Sequence, residues 1–230
     1  MHVGTSGYSY PEWKGSFYPE KLPAKAMLGY YAERFQTVEI NNTFYRMPTE
    51  AMLKGWGDQV PEGFAFALKA SRRITHDRRL QDVGEATAFL FQAGAVLGQK
   101  LGPFLFQLPP FLKKDLATLK TFLALLPPGA RAALEFRHAT WLDDEVYEAL
   151  RAAGAALCVA DAGEPVDAPL LATADWGYLR LRRPDYGSDD LKSWAERIQT
   201  QPWQDCFVYF KHEEEGKGPQ LATEFMKWIG

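Results

Sequence analysis

The sequence predicts a closed (β/α)8 TIM-type barrel of parallel strands that forms a single domain over residues 1–230. Short apolar segments alternate with helical patterns along most of the chain, and this order is typical of parallel sheets, which need crossover connections. Eight such units favour closure of the sheet into a barrel. An open Rossmann-like sheet is the alternative, but no G-x-G-x-x-G follows the first apolar segment.

The predicted strands are mostly apolar and rich in aromatic or β-branched residues, as expected of a sheet that is covered on both faces. Several of them end on a polar or charged residue. The strands are Val3–Tyr8, Thr37–Asn41, Phe64–Lys69, Pro103–Leu108, Ala132–Arg137, Ala155–Asp161, Tyr178–Arg183 and Phe207–His212.

Helices are predicted where apolar residues recur at helical spacing between these strands. The segment Ala162–Thr173 contains Pro165 and Pro169 and is predicted to be a loop instead. The predicted helices are Ala24–Phe35, Asp115–Leu126, Asp143–Ala153, Asp189–Gln199 with Ser188 as its cap, and a closing helix that follows Gly218-Pro219 and runs through Trp228.

Composition excludes several classes of function. The net charge is −3 and the pI is near 5.9, so the bulk charge does not favour nucleic acid, although a local basic patch can still bind it. Cys158 and Cys206 lie in or beside apolar runs and have no CxxC partner, which disfavours iron–sulfur chemistry and suits a reducing compartment. With no signal-like segment and no apolar stretch long enough for a bilayer, we expect a cytoplasmic protein without a membrane partner.

Polar residues collect where the predicted strands end, and in parallel α/β barrels this end carries the active site. Residues two apart in a strand point to the same face, so Glu39 and Asn41 share a face, as do Glu135 and Arg137. Charged pairs under the apolar helices would be costly, so an inward orientation is expected. The residues predicted to surround one mouth are Glu39, Lys69, Glu135, Arg137, Asp161, Arg180 and Lys211.

Two interpretations of this cluster remain open. Pairs such as Lys69–Glu135 or Arg180–Asp161 can be purely structural ion pairs of the barrel interior. So many charged groups at one end favour a ligand or reaction site instead, with His76 as a loop acid or base. Trp141 is a candidate stacking residue for which core packing competes, and His212 alternates in parity with Lys211.

The leading hypothesis is an enzyme that acts on a small anionic or sugar-like substrate. Glu39 or Glu135 is the expected general base, Lys69 or His76 the acid or electrostatic partner, and Arg137 and Arg180 the anion clamps. The sequence identifies no cofactor and no metal ligand set. The full candidate set comprises Glu39, Lys69, His76, Glu135 and Asp161 for catalysis, and Asn41, Arg137, Trp141, Arg180, Lys211 and His212 for substrate binding.

Two rival functions are kept. The first rival is a metal-dependent phosphoesterase or sugar isomerase, because Glu39, Glu135, Asp161 and the histidines are acceptable metal ligands. No short ligand motif supports this function, and nearby basic residues would crowd a cation. The other is a non-catalytic module that binds a nucleotide or nucleic acid through a basic loop made of Arg72, Arg73, Arg78 and Arg79.

Six motifs follow one another along the chain, namely GTSGYSYPEWKGSFYP, VEINNTFYRMP, FALKASRRITHDRRL, FQLPP, EFRHATW and YFKHEEEGKGPQLA. In this order they resemble the YecE-like family, also called domain of unknown function seventy-two. The resemblance covers essentially the whole chain and implies a closed (β/α)8-type barrel with a polar cleft at the strand C-termini, but no reaction. It points to Glu39, Asn41, Lys69, His76, Glu135, Arg137, Trp141, Asp161 and the Lys211-His212 pair.

Overall fold

A computed structural model describes residues 1–163 and 168–229. Within them the strands are all parallel and pair in chain order, and β8 closes the sheet on β1. The predicted (β/α)8 TIM-type barrel is therefore confirmed. The strands are β1 (His2–Ser6), β2 (Thr37–Ile40), β3 (Ala65–Lys69), β4 (Leu101–Gln107), β5 (Ala132–Glu135), β6 (Ala156–Asp161), β7 (Trp176–Leu181) and β8 (Asp205–Phe210).

Helices follow the strands and cover the outside of the barrel. Shorter 3-10 turns occur at Pro11–Trp13, Ala24–Ala26, Ala95–Lys100 and Ala139–Trp141, and one π-helical turn spans Arg73–Asp77. The α-helices are α1 (Met27–Ala32), α2 (Asn42–Tyr45), α3 (Glu50–Gly57), α4 (Gly84–Gly94), α5 (Leu116–Leu123), α6 (Asp144–Ala153), α7 (Ser188–Gln199) and α8 (Lys217–Met226).

Several strands end earlier than the sequence predicts. β5 ends at Glu135 rather than at Arg137, and β8 ends at Phe210 rather than at His212. At this end the chain leaves the ladder after a last backbone hydrogen bond, such as the one from the Lys211 N–H to the Leu181 carbonyl. The polar residues beyond this point therefore stand on loops at the mouth of the barrel.

The helices differ from the prediction at α2, α3 and α4 and at the start of α7. The sequence did not predict α2, α3 or α4, although the Thr49 side chain caps α3 by accepting a hydrogen bond from the Met52 N–H. Ser188 is the first residue of α7, and Gly187 occupies the cap position that was predicted for Ser188. The Gly187 N–H donates to the Asp190 carboxylate. Asp143 caps α6, which ends at the left-handed Gly154 as predicted.

The core has two layers with different side chains. Large aliphatic and aromatic residues fill the outer layer between sheet and helices. The inside of the barrel holds small residues such as Ala67, Ala133 and Cys158, together with the rings of Tyr178 and Tyr209. Because successive residues of a strand alternate between these layers, the inner residues fix which side chains reach the mouth.

The segment between β6 and β7 is described only in part. The loop predicted at Ala162–Thr173 includes residues 164–167, which lie outside the described residues, and the described residues on either side carry no helix or strand. Within residues 1–163 and 168–229, no helix is both long enough and apolar enough to cross a membrane.

Candidate functional site

A buried arginine joins two buried carboxylates at the carboxyl end of the barrel. Arg180 on β7 donates from Nε to Glu39 Oε2 at 3.0 Å and from Nη2 to Glu39 Oε1 at 2.9 Å. Its Nη1 donates to Glu135 Oε2 at 2.6 Å. All three side chains are at most 2% exposed. The sequence did not predict that Arg180 bridges the two glutamates, which lie on β2 and β5.

Neutral side chains complete the hydrogen bonding of Glu39. Tyr178, two residues before Arg180 on β7, donates its hydroxyl to Glu39 Oε2 at 2.7 Å. The Ser6 hydroxyl donates to Glu39 Oε1, and Asn41 Nδ2 in turn donates to Ser6 Oγ at 2.8 Å. Asn41, a predicted binding residue, is thereby connected to the buried cluster while it remains partly exposed.

A second chain of hydrogen bonds leads from Glu135 towards the mouth. Gln107 at the end of β4 donates from Nε2 to Glu135 Oε1 at 2.6 Å. The ammonium of Lys69, the last residue of β3, donates to Gln107 Oε1 at 2.9 Å. Lys69 therefore contacts a neutral amide, and it reaches the carboxylates only through Gln107. The network runs without a break from Lys69 to Asn41.

The charges within this network set the pKa values of its carboxyl groups. Burial opposes ionisation of Glu39, but Arg180 and the hydrogen bonds from Ser6 and Tyr178 outweigh it and hold the pKa of Glu39 below its ordinary value. The pKa of Glu135 is lowered in the same way, against burial, by Arg180 and Gln107. Both glutamates are therefore ionised at neutral pH, and both accept charge-assisted hydrogen bonds from Arg180.

Lys69 differs from the glutamates because its charge is not compensated by a direct ion pair. Burial, together with the nearby cations Arg180 and Lys211, lowers the pKa of Lys69 to about 8. Its ammonium also lies 4.3 Å from the centre of the Phe44 ring. A lysine with this pKa changes its charge close to neutral pH, as proton-transferring lysines do.

His76 lies beside Lys69 on the π-helical turn after β3. Its ring packs edge-on against Phe44 with 4.9 Å between the ring centres, and its Nδ1 lies 2.8 Å from Thr75 Oγ1. Burial lowers the pKa of His76, and the charges of Lys69, Arg72 and Arg137 add to this effect. The imidazole is therefore neutral at physiological pH and partly exposed at the mouth.

Further cations stand around the opening. Arg182 Nη1 lies 3.8 Å from Glu135 Oε1, and Lys211 Nζ lies 3.9 Å from Glu213 Oε1, with both basic side chains partly exposed. Burial and the charges of Arg182 and Arg180 lower the pKa of Lys211. Arg137, just beyond β5, is also partly exposed. The mouth therefore combines ion-paired glutamates at its base with a basic rim.

The predicted inward orientation of Asp161 is wrong. Its carboxylate accepts hydrogen bonds from the Tyr186 hydroxyl at 2.7 Å and from Trp194 Nε1 at 3.1 Å, on the side of β6 that faces α7. Cys158 lies with the inner residues of β6, so Asp161, three positions later, has the opposite parity. Asp161 therefore connects β6 to the helix layer and lies apart from the mouth cluster.

Two other predicted binding residues also face away from the mouth. Trp141 is 1% exposed, stacks on Phe136 at 4.8 Å, and donates from Nε1 to the Leu112 carbonyl at 2.7 Å, so it is a core residue. The His212 ring packs near Tyr186, and its Nε2 lies 2.8 Å from the Arg183 carbonyl oxygen. The alternating parity of His212 and Lys211 indicated this orientation.

The site also contains residues that the candidate list omitted, namely Ser6, Gln107, Tyr178 and Arg182. Two of them carried a usable signal, because Tyr178 and Arg182 share the strand face of Arg180. Ser6 and Gln107 end β1 and β4, at the same level as Lys69 and Glu135 on their own strands. Polar character at a strand end and strand parity together identify all four.

Arginine occupies the place where a metal would bridge the two glutamates. Arg180 donates to both carboxylates, and its positive charge already neutralises part of theirs. Within the described residues, no group of three or more His, Cys, Asp or Glu side chains is placed to hold a metal ion. The donor set around Glu39 and Glu135 therefore does not fit a metal centre.

Cavities are found at both ends of the barrel. One of about 80 Å³ lies beside Asn41 at the mouth, between the loops that follow β1 and β2. A larger one of about 710 Å³ lies at the opposite end, where Arg131 and Trp176 line it with the last turns of α5 and α6. The larger cavity is therefore distant from the polar network, and size alone does not identify the chemical site.

Comparison with known proteins places the chain in a family. The family model described as a protein of unknown function, DUF72, matches residues 2–230. The chain belongs to the DUF72 family. The YunF protein of Bacillus subtilis, a UPF0759 protein, is 25% identical over 269 residues, which cover 100% of this chain and 94% of YunF. These findings agree with the resemblance found in the sequence motifs.

Solved structures of the DUF72 family share the barrel. A DUF72 protein of Thermotoga maritima superposes with a TM-score of 0.85 and 27% identity, covering 99% of this chain and 98% of that protein. A DUF72 protein of Enterococcus faecalis gives a TM-score of 0.84 at 18% identity, with 99% and 94% covered, and supports the fold alone. The family description assigns no reaction, so the function must be argued from the site.

Proposed function

We propose that this DUF72 protein is an enzyme that transfers a proton to a small anionic or sugar-like substrate at the mouth of the barrel. The observation that carries the proposal is Lys69, a nearly buried lysine at a strand end whose pKa is lowered to about 8. Strongly shifted lysines in clefts are typical of acid–base sites. Lys69 replaces the glutamates of the initial hypothesis as the proton-transferring group.

The glutamates are better suited to positioning than to proton abstraction. A carboxylate whose pKa is lowered is a weak base, and Glu39 already accepts four hydrogen bonds and Glu135 two. Their role in the proposal is to fix Arg180 and, through Gln107, the ammonium of Lys69. Because the network is buried and rigid, it holds Lys69 in one orientation without solvent reorganisation.

The rim favours a substrate that carries negative charge. Lys69, Arg182 and Lys211 lie close enough to influence one another's pKa values or those of the glutamates, and Arg137 stands near His76. Each cation opposes protonation of the next, so a bound phosphate or carboxylate would relieve this repulsion. Asn41 and Gln107 offer amide groups to hydroxyls of the same ligand.

The proposal predicts anion binding that depends on Lys69 and on pH. Titration of the protein with sugar phosphates and sugar acids should show heat of binding at pH 7, and the affinity should fall as the pH rises through about 8, because Lys69 loses its proton there. Mixtures containing the bound compounds would then be followed by proton and phosphorus NMR to detect turnover.

Matched variants distinguish anion binding at Lys69 from anion binding by general surface charge. Lys69→Met should abolish the pH-dependent part of the binding, whereas Asp161→Asn, which alters a carboxylate on the helix side of β6, should leave it unchanged. Lack of both binding and turnover across phosphorylated, carboxylated and neutral sugars would reject the proposal. An equal loss of pH-dependent binding in Lys69→Met and Asp161→Asn would reject Lys69 as the group responsible for it.

A further inference from the structure

A basic and aromatic strip leads away from the mouth across the loops after β2, β3 and β4. Five exposed side chains define the strip, and none of them belongs to the buried network. They stand on α2, on the π-helical turn and its continuation, and on the segment that precedes α5. These residues are Tyr45, Arg73, Arg78, Arg79 and Phe111.

The charge of the strip is opposite to that of the whole chain. Residues 70–80 contain four Arg against one Asp, a net formal charge of +3, whereas the chain carries −3. Arg72 forms an ion pair with Asp77, with 3.2 Å between Nη2 and Oδ1, and this pair closes the turn. The excess positive charge is therefore concentrated on one loop beside the mouth, which favours a polyanionic partner.

The aromatic members of the strip are unusually exposed for their size. Tyr45 is 76% exposed and Phe111 is 62% exposed. Phe44 connects Tyr45 to His76, with ring centres 5.1 Å and 4.9 Å apart, and the Arg79 guanidinium lies 5.3 Å from the centre of the Phe111 ring. Exposed flat rings and guanidinium groups therefore occur together on this surface, as in sites that stack unpaired bases.

The backbone holds the strip in a defined conformation. Arg79 and Leu80 adopt positive φ angles of 52° and 69°, which are uncommon outside glycine. Leu80 is 3% exposed, and its N–H donates to the Ile74 carbonyl at 2.9 Å, so the turn is fastened to the core. Arg78 closes the π-helical turn through its N–H to the Arg73 carbonyl. The side chains of Arg78 and Arg79 therefore project from a preorganised loop.

We infer that the strip is a docking surface for single-stranded nucleic acid, an interaction that goes beyond the proposed acid–base activity. The three arginines offer positive charge to the phosphates of a strand, and Tyr45 and Phe111 offer faces on which unpaired bases stack. A duplex hides its base faces, and an acidic polypeptide has none to offer. The surface does not include Lys69, so strand binding and proton transfer are separable.

Fluorescence anisotropy with a labelled poly(dT) strand of about 12 nucleotides tests the inference, since single-strand sites span roughly 4–16 nucleotides. Binding should weaken with salt, and Arg73→Ala/Arg78→Ala should reduce the slope of log K against log salt by about 1.4. The control Lys120→Ala/Arg151→Ala removes two exposed charges from the last turns of α5 and α6 and should leave binding unchanged.

The aromatic contribution is tested separately. Tyr45→Ala/Phe111→Ala should weaken poly(dT) binding by at least about fivefold, since stacking of a single base corresponds to that factor or more. An abasic strand of equal length should bind the unaltered protein as weakly as poly(dT) binds this variant. No binding at low salt, an equal effect of the control variant, or equal affinity for an abasic strand or poly-glutamate would each overturn the inference.

Discussion

Arg180→Met is expected to lower the free energy of unfolding at pH 7 by about 3–5 kcal/mol, the usual effect of removing one partner of a buried ion pair. The loss follows because Glu39 and Glu135 would remain buried as two ionised carboxylates without their shared cation. Urea denaturation measures this loss in the free energy of unfolding. Arg131→Met is the control, since Arg131 is 43% exposed and its pair with Asp205 should contribute only about 0–1 kcal/mol.

The pH dependence distinguishes this explanation from simple loss of packing. In the unaltered protein the lowered pKa values of Glu39 and Glu135 give stability that is present above the unfolded value near 4.5 and is lost as the pH falls below it. In Arg180→Met, burial without the cation should raise both pKa values. The folded variant would then bind more protons than the unfolded chain, so its stability should increase from pH 7 to pH 5.

A variant equally unstable at pH 5 and pH 7 would contradict the charged-network account. Arg180→Lys provides a second test if Arg180→Met does not fold. A lysine keeps the positive charge but cannot donate from three nitrogens as Arg180 does to Glu39 and Glu135. Its stability should therefore lie between that of the unaltered protein and that of Arg180→Met.

Lys69→Met is expected to reduce kcat/KM by about 100-fold to 10,000-fold on the substrate identified by the binding screen, the usual range for loss of a general acid or base. The fold should persist, because Lys69 donates to the neutral Gln107 rather than to a buried carboxylate. Steady-state kinetics and a denaturation curve measure the two effects. The control Lys192→Met changes an exposed lysine on α7 and should retain full activity.

Lys69→Arg tests the protonation state that the reaction requires. With protonated Lys69 as the acid, kcat/KM of the unaltered enzyme should fall as the pH rises past about 8. Arginine stays charged far above this pH, so the residual activity of Lys69→Arg should show no fall there. If kcat/KM of Lys69→Arg still fell above about pH 8 as in the unaltered enzyme, the fall would belong to another group.

Much of the fold could be predicted from local patterns. Strand segments such as Ala132–Glu135 and helices such as α6 have clear apolar periodicity and recognisable ends, including Asp143 as cap and Gly154 as the left-handed end. The helix α4 escaped prediction because its chain begins at a glycine and no capping side chain precedes it. Tertiary packing rather than local preference fixes such helices.

The site could be predicted only as far as strand parity was assigned correctly. Glu39, Glu135 and Arg180 meet inside the barrel because each lies in phase with the inner residues of its strand. The prediction for Asp161 is wrong because Asp161 lies three residues after the inward-facing Cys158, on the opposite face of β6. The sharing of Arg180 by two glutamates depends on how strands far apart in sequence face one another, which no local pattern records.

The central claim is that Lys69 is a proton-transferring group whose charge changes near neutral pH. NMR titration of the unliganded protein, with the lysine Cε signals labelled with carbon-13 and Lys69 assigned by its loss in Lys69→Arg, tests this directly. A midpoint of about 8 is predicted. A midpoint near the ordinary lysine value of about 10.4 would contradict it.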